Sequence, residues 1–361
     1  VKKDLPGFLT ALQAHPDLYG RGCTWTVHQR MALYGVSAVS VAVICEGAIL
    51  EEFTTGTIAA NDPIEIDEHT LFNSCSISKA ITALGVLRLI ASGKIDLDAE
   101  VNEIISCWKL LNEDGRPATT TVRQLLSHTG GVNVHGATGY APDGDVPTLI
   151  GILNGFSPSL TPKVICAPQG PKHYEYSSGG FGVLQLVVSE ATQLAFPDAM
   201  DLLVFKPLDL SDSCYSVGPP TRPHVQAHVS LLRQASPETN LQFPEMAAAG
   251  LWTTAGDLCR ITLAVQSSLK TDSFLPRQLA EECVTTQADN RDVGLGYHLA
   301  GERCARQFCH TGGHLGWRAE TCGWVNEPSG YAVLVNNGYS GSEIIWEIVN
   351  AIRDRFGFPA S

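Results

Sequence analysis

Residues 72–79 read Phe72-Asn73-Ser74-Cys75-Ser76-Ile77-Ser78-Lys79 and run straight into an apolar stretch at residues 80–91. That stretch is apolar nearly all round, which predicts a helix buried in the interior rather than lying on a surface. Gly93 suits its C-terminal cap. Ser76 and Lys79 stand three apart at the first turn, so they share a face as neighbours. A helix start disfavours positive charge, and partial desolvation weakens an amine's hold on its proton. A hydroxyl beside such an amine is a candidate activated nucleophile.

Ser-x-x-Lys alone says little, since on the order of one chance match is expected in a chain of this composition. A second copy, Ser267-Ser268-Leu269-Lys270, follows the apolar residues 258–265 and reads as a helix end running into a loop. The first copy gains its weight from two later segments. Residues 174–183 read Tyr174-Glu175-Tyr176-Ser177-Ser178-Gly179-Gly180-Phe181-Gly182-Val183. Residues 308–318 read Phe308-Cys309-His310-Thr311-Gly312-Gly313-His314-Leu315-Gly316-Trp317-Arg318.

Working outward, residues 36–45 and 48–55 flank Glu46-Gly47 and predict a β-hairpin. Residues 319–325 and 331–336 flank Glu327-Pro328-Ser329-Gly330, a second tight turn. Amphipathic residues 5–14 and 26–34 predict opening helices. At the other end, Ile344, Ile345, Ile348, Val349, Ile352 and Phe356 recur at helical spacing behind a capping box of Ser340 and Glu343. The expected fold is α/β (α+β): an antiparallel sheet flanked by helices, with a mostly helical subdomain. Residues 1–79 and 286–361 would form the first part and residues 80–285 the second. The cleft between them is the expected site.

The three segments, in this order and at these separations, resemble the serine β-lactamase and penicillin-binding-protein superfamily, in particular its class C β-lactamase-like group. Leu125-Leu126-Ser127-His128-Thr129-Gly130-Gly131 and Ala248-Ala249-Gly250-Leu251-Trp252-Thr253-Thr254 belong to the resemblance, as do both hairpins and the closing helix. It implies a β-lactamase/penicillin-binding-protein-like fold. It also implies an acylated nucleophile at Ser76, held by Lys79, with Tyr176 as general base and His310 beside it. The backbone N–H groups of Ser76 and Gly313 would form the oxyanion hole. Ser178, Thr311, Gly312 and His314 would contact substrate. Two departures narrow the chemistry. Ser178 stands where many relatives have Asn, and a hydroxyl lacks an amide's pair of donors. His310 stands where β-lactamases have Lys, and a largely neutral imidazole is a poorer carboxylate ligand. The implied activity is therefore esterase or transesterase first, D-amino-acid peptidase or D,D-carboxypeptidase next, and β-lactamase third. A catalytically silent scaffold of the same fold is the alternative from another class.

Composition bounds the partners. Across 361 residues, 44% are apolar and 17% charged, an ordinary globular balance. The net charge of −13 sets the surface against phosphate backbones and anionic membranes. Small-molecule ester, amide or D-peptide substrates are expected, without nucleic acid or membrane, and the oligomeric state stays open. Eleven Cys are scattered singly without a CxxC pair, which predicts reduced thiols and a cytoplasmic protein. His224 and His228 are four apart but lack supporting ligands, so neither metal nor cofactor is expected. His128-Thr129-Gly130-Gly131 precedes Tyr176 and reads as a helix end. Cys75 reads as a small buried residue rather than a reactive thiol.

Overall fold

The computed structural model describes residues 9, 12–13, 24–167, 172–231, 234–237 and 240–359. Its frame is an antiparallel sheet of six strands. In chain order these are β1 (Ala38–Cys45), β2 (Ala48–Gly56), β3 (His298–Ala300), β4 (Gln307–His314), β5 (Trp317–Trp324) and β6 (Gly330–Val335). They lie side by side as β3-β4-β5-β6-β1-β2, so the N-terminal hairpin completes a sheet begun by the C-terminal strands.

The central strands are buried on both faces, which explains why β1 and β6 read as unbroken apolar runs. Their alternate residues feed two cores. Ala38, Ala42, Ala332 and Leu334 belong to the large one. Val39, Val41, Val43, Val333 and Val335 belong to the smaller one beneath the helices α1 (Val27–Tyr34) and α5 (Gly341–Phe356). The large core continues without a break into the helical half, through α2 (Ile77–Ala91) and α3 (Ser178–Thr192). Twelve of the fifteen residues of α2 are buried, so this helix runs through the protein rather than over it. The helix α4 (Ala255–Ser268) falls within the range expected for the helical half, yet it packs on β1, β5 and β6.

Several local expectations meet a different outcome. Leu12–Gln13 is a strand paired with Thr24–Trp25, and most of the helix expected at residues 5–14 lies outside the described residues. Ser340 caps α5 by position, but its side chain makes no capping hydrogen bond, so the capping box with Glu343 is not formed. Cys309 and Cys322 are joined by a disulfide, so the expectation of reduced thiols fails for this pair. The reason is register: the two cysteines are directly opposed on β4 and β5, a pairing their 13-residue separation does not reveal. No helix among the described residues is long and apolar enough to cross a membrane.

Candidate active site

The chain enters α2 through a small sheet in which Phe72–Asn73 pairs with Leu251–Thr253. Ser74 N donates to the Leu251 carbonyl at 2.9 Å, and Cys75 N donates to Asn73 Oδ1 at 2.8 Å. Cys75 adopts φ +52°, a left-handed turn that is rare for a residue with a side chain. Such strain persists only where the surroundings over-determine it. Here it turns the chain so that Ser76 takes the N-cap position of α2. The Ser76 side chain makes no capping bond, which leaves its hydroxyl for other work. Cys75 itself is buried, and burial pushes its thiol up, away from reactivity.

Lys79 is fully buried. Its Nζ donates to Ser76 Oγ at 3.2 Å and to the Ala248 carbonyl at 2.9 Å. The same ammonium lies 4.9 Å from the centre of the Tyr176 ring and 6.0 Å from that of Phe181. The structure thus brings Ser76, Lys79 and Tyr176 together from positions a hundred residues apart. Tyr176 is clamped through its backbone: His135 Nδ1 donates to its carbonyl at 2.6 Å, and the following Ser177 N donates to His128 Nδ1 at 3.0 Å.

His310, on β4, joins the cluster from the sheet side, its ring 5.2 Å from that of His298. His310 Nδ1 donates to the Thr311 carbonyl at 2.7 Å, which sets the tautomer and leaves Nε2 as the acceptor. Gly312 faces the nucleophile turn so closely that a Cβ there would lie 2.1 Å from the Ser74 carbonyl oxygen. Only glycine permits that approach, and it brings the strand carrying Gly313 against the Ser74–Ser76 segment.

The remaining expected contacts divide. Ser178 is buried and its hydroxyl donates to the His135 carbonyl at 3.1 Å, so it is engaged by the protein. His314 Nε2 lies 3.1 Å from Asn73 Oδ1, and its ring packs 4.6 Å from Phe243, behind the nucleophile turn. Thr311 and Gly313 are exposed on the opposite face of β4, toward α5.

Two residues of the cluster escaped sequence reasoning. His298 stacks 6.3 Å from the Tyr176 ring, with its Nδ1 buried and unpartnered among the described residues. It reaches the site through β3, where it pairs with Cys309, and nothing local in the sequence signals this. His128 does follow a short helix (Val122–Leu126), as expected, but its ring also packs 4.5 Å from that of Tyr176. A φ of +57° at a histidine is the structural sign of its special position. Burial, with the Lys79 charge adding to it, holds His128 and His310 well below the usual imidazole range. His298 is lowered by burial and by the Arg291 and Lys79 charges. Three imidazoles held toward their neutral form therefore surround the Lys79 side chain.

A sheet backed by helices on both faces, a helical half beside it, and a serine at the start of the buried helix between them define the penicillin-binding and β-lactamase fold. The chain belongs to the beta-lactamase family, whose model matches residues 26–350, and it is a hydrolase of that family. It is 27% identical over 296 residues to esterase EstB of Burkholderia gladioli, covering 73% of this chain and 74% of EstB. A penicillin-binding protein from Bacillus halodurans superposes with a TM-score of 0.71 at 20% identity, covering 91% of this chain and 99% of that one. A D-stereospecific amidohydrolase from Streptomyces sp. gives a TM-score of 0.65 at 21% identity, covering 88% and 96%.

Proposed function

We propose that the chain is a serine hydrolase that cleaves small-molecule esters through an acyl-Ser76 intermediate. The observation that carries this reading is the Lys79 Nζ to Ser76 Oγ hydrogen bond of 3.2 Å, made by a buried lysine beneath the Tyr176 ring. Tyr176 takes the Ser76 proton as Oγ bonds to the substrate carbonyl carbon. The negative oxygen rests on the Ser76 and Gly313 N–H groups, each such donor contributing roughly 3–4 kcal/mol to barrier lowering. The tetrahedral species collapses by breaking the bond to the leaving alcohol, which takes its proton from Tyr176. Water, or an acceptor alcohol in a transesterification, then attacks the acyl group with Tyr176 as base, and Ser76 recovers its proton.

Esters rank before D-amino-acid amides, and β-lactams third, for two reasons. The Ser178 hydroxyl is spent on the His135 carbonyl and offers a substrate amide no donor. His310 is a neutral imidazole where a fixed cation would otherwise bind carboxylate. The resemblance to EstB, an esterase, supports placing esters first. The test is hydrolysis of 4-nitrophenyl butyrate by the wild type and by Ser76→Ala under identical conditions. Loss of the rate in the variant is expected. Equal rates, or none in either protein, would overturn the assignment and favour a silent scaffold.

A further inference from the structure

A small cavity beside the Tyr176 segment holds a carboxyl group that the proposed chemistry does not use. Glu245 is 5% exposed, and its Oε2 is buried without a hydrogen-bond partner among the described residues. It lines the cavity together with Ser178, two residues past Tyr176, and the apolar side chains of Val134, Ile152, Leu153 and Val164. At about 10 Å³ the cavity is the size of one water molecule, so no substrate group fits beside the carboxyl. A buried polar atom without a partner is costly and needs an explanation.

The turn that carries Glu245 is tied both to α3 and to Lys79. Gln185, buried on α3, grips the turn at both ends of its amide: Nε2 donates to the Pro244 carbonyl at 3.0 Å, and Oε1 accepts from Ala247 N at 3.0 Å. The Glu245 carbonyl accepts from Ala248 N at 2.9 Å, and the Ala248 carbonyl accepts from Lys79 Nζ at 2.9 Å. Both acceptors of Lys79, Ser76 Oγ and that carbonyl, are neutral, and the lysine is fully buried. A charge in so dry a place needs an opposite charge. His128, His298, His310 and Cys75 face the same centre, and burial holds each toward its neutral form. Burial also pushes the Glu245 carboxyl up, while the Lys79 charge pulls it back toward ionisation.

We propose that Glu245 is a positioning residue whose ionised form keeps Lys79 charged beneath Tyr176, with Gln185 holding its turn in place. The proposal rests on the reading that Lys79 and Tyr176 activate Ser76. Glu245 touches neither substrate nor the reacting atoms and acts through Lys79. A charge on Lys79 favours a neighbouring phenolate, the form of Tyr176 that takes the Ser76 proton.

The experiment measures kcat/KM for 4-nitrophenyl butyrate from about pH 5.5 to 9 with wild type, Glu245→Gln and Glu245→Asp. Gln keeps the shape and loses the charge, whereas Asp keeps the charge and loses a methylene. In alkaline solution Glu245→Gln is expected to fall about tenfold or more, and Glu245→Asp to retain more activity than Glu245→Gln. The ratio of wild type to Glu245→Gln should shrink as pH falls through the range where Glu245 takes up its proton, which burial has moved above the ordinary carboxylate range. Histidine titrations common to both proteins cancel in that ratio. Glu245→Gln as active as Glu245→Asp, a ratio that does not change with pH, or a Glu245→Gln protein that fails to fold would overturn the proposal and leave Glu245 a structural residue. Should Glu245→Asp not fold, the pH dependence of the ratio decides alone. Urea unfolding of Lys79→Met, Glu245→Gln and the double variant at about pH 8 reads the same pairing without turnover. Glu245→Gln should be better tolerated in the Lys79→Met background than in wild type, where it removes the partner of a charge. Such coupling in a protein whose wild type hydrolyses no ester would sink the Ser76 reading and keep the pair. Additive losses, with Ser76-dependent hydrolysis intact, would sink the pair alone.

Discussion

Gly312→Ala tests whether the contact between β4 and the nucleophile turn sets the catalytic geometry. The added Cβ would stand 2.1 Å from the Ser74 carbonyl oxygen and 3.1 Å from Cys75 Cβ. An ordinary contact needs roughly 1 Å more separation, and neither wall yields easily. Ser74 is tied to Leu251 by its backbone N–H at 2.9 Å and its hydroxyl at 3.2 Å. On the other side, β4 is paired with β5 from Gln307 to His314 and cross-linked to it at Cys309. The gap therefore opens between Ser76 and the Gly313 N–H. A misplacement of about 1 Å costs on the order of 10²-fold, and loss of one oxyanion donor about 10²–10³-fold. The expected result is a kcat lowered about 10²–10³-fold, with roughly 1–3 kcal/mol of stability lost to overpacking. Steady-state hydrolysis of 4-nitrophenyl butyrate, with urea unfolding of the same samples, reads both. Gly136→Ala is the control, because a Cβ there meets nothing within 4 Å. A folded Gly312→Ala enzyme with kcat within about threefold of wild type would refute the reasoning.

Acid should unfold this protein early. Burial holds His128, His298, His310 and His314 below the ordinary imidazole range, His314 at about 4. The unfolded chain binds protons near pH 6.5 while the native state refuses them, so stability is full above that value and falls as pH drops below it. His314 alone removes about 2 kcal/mol by pH 5, and the other three act in the same direction. Urea midpoints between pH 7.5 and 5 check this, and a flat profile would contradict it. Glu347→Ala strips a buried cluster in which Arg30 Nε donates to Glu347 Oε2 at 2.6 Å and the Tyr34 hydroxyl to Oε1 at 2.7 Å. With both side chains of the ion pair fully buried, a loss of about 3–5 kcal/mol is expected by urea unfolding, with kcat of the folded fraction unchanged. A loss under about 1 kcal/mol would show that the cluster contributes little.

Much of the architecture was legible in local pattern. An apolar run behind Ser76 encodes a buried helix because no face of it suits water, and α2 is that helix. The hairpin of β1 and β2 and the helix α5 were readable for the same reason: strand and helix periods, and the turns between them, are properties of neighbouring residues. The spacing of Ser76 and Lys79 fixed their shared face, and the hydrogen bond between them follows from one helical turn. What sequence could not supply is register and spacing between distant segments. Whether the Ser178 hydroxyl is free depends on where the loop at His135 lies. The convergence of His128, His298 and His310 around Tyr176 and Lys79 depends on how β3 and β4 pair and on how the two halves close. The pairing of β4 with β5 sets Cys309 opposite Cys322 and turns Thr311 away from the nucleophile, toward Arg318. One residue of slip along β4 would reverse every one of these faces, because side chains alternate along a strand. That register is fixed by packing both sheet faces at once, a condition that only the folded chain can satisfy.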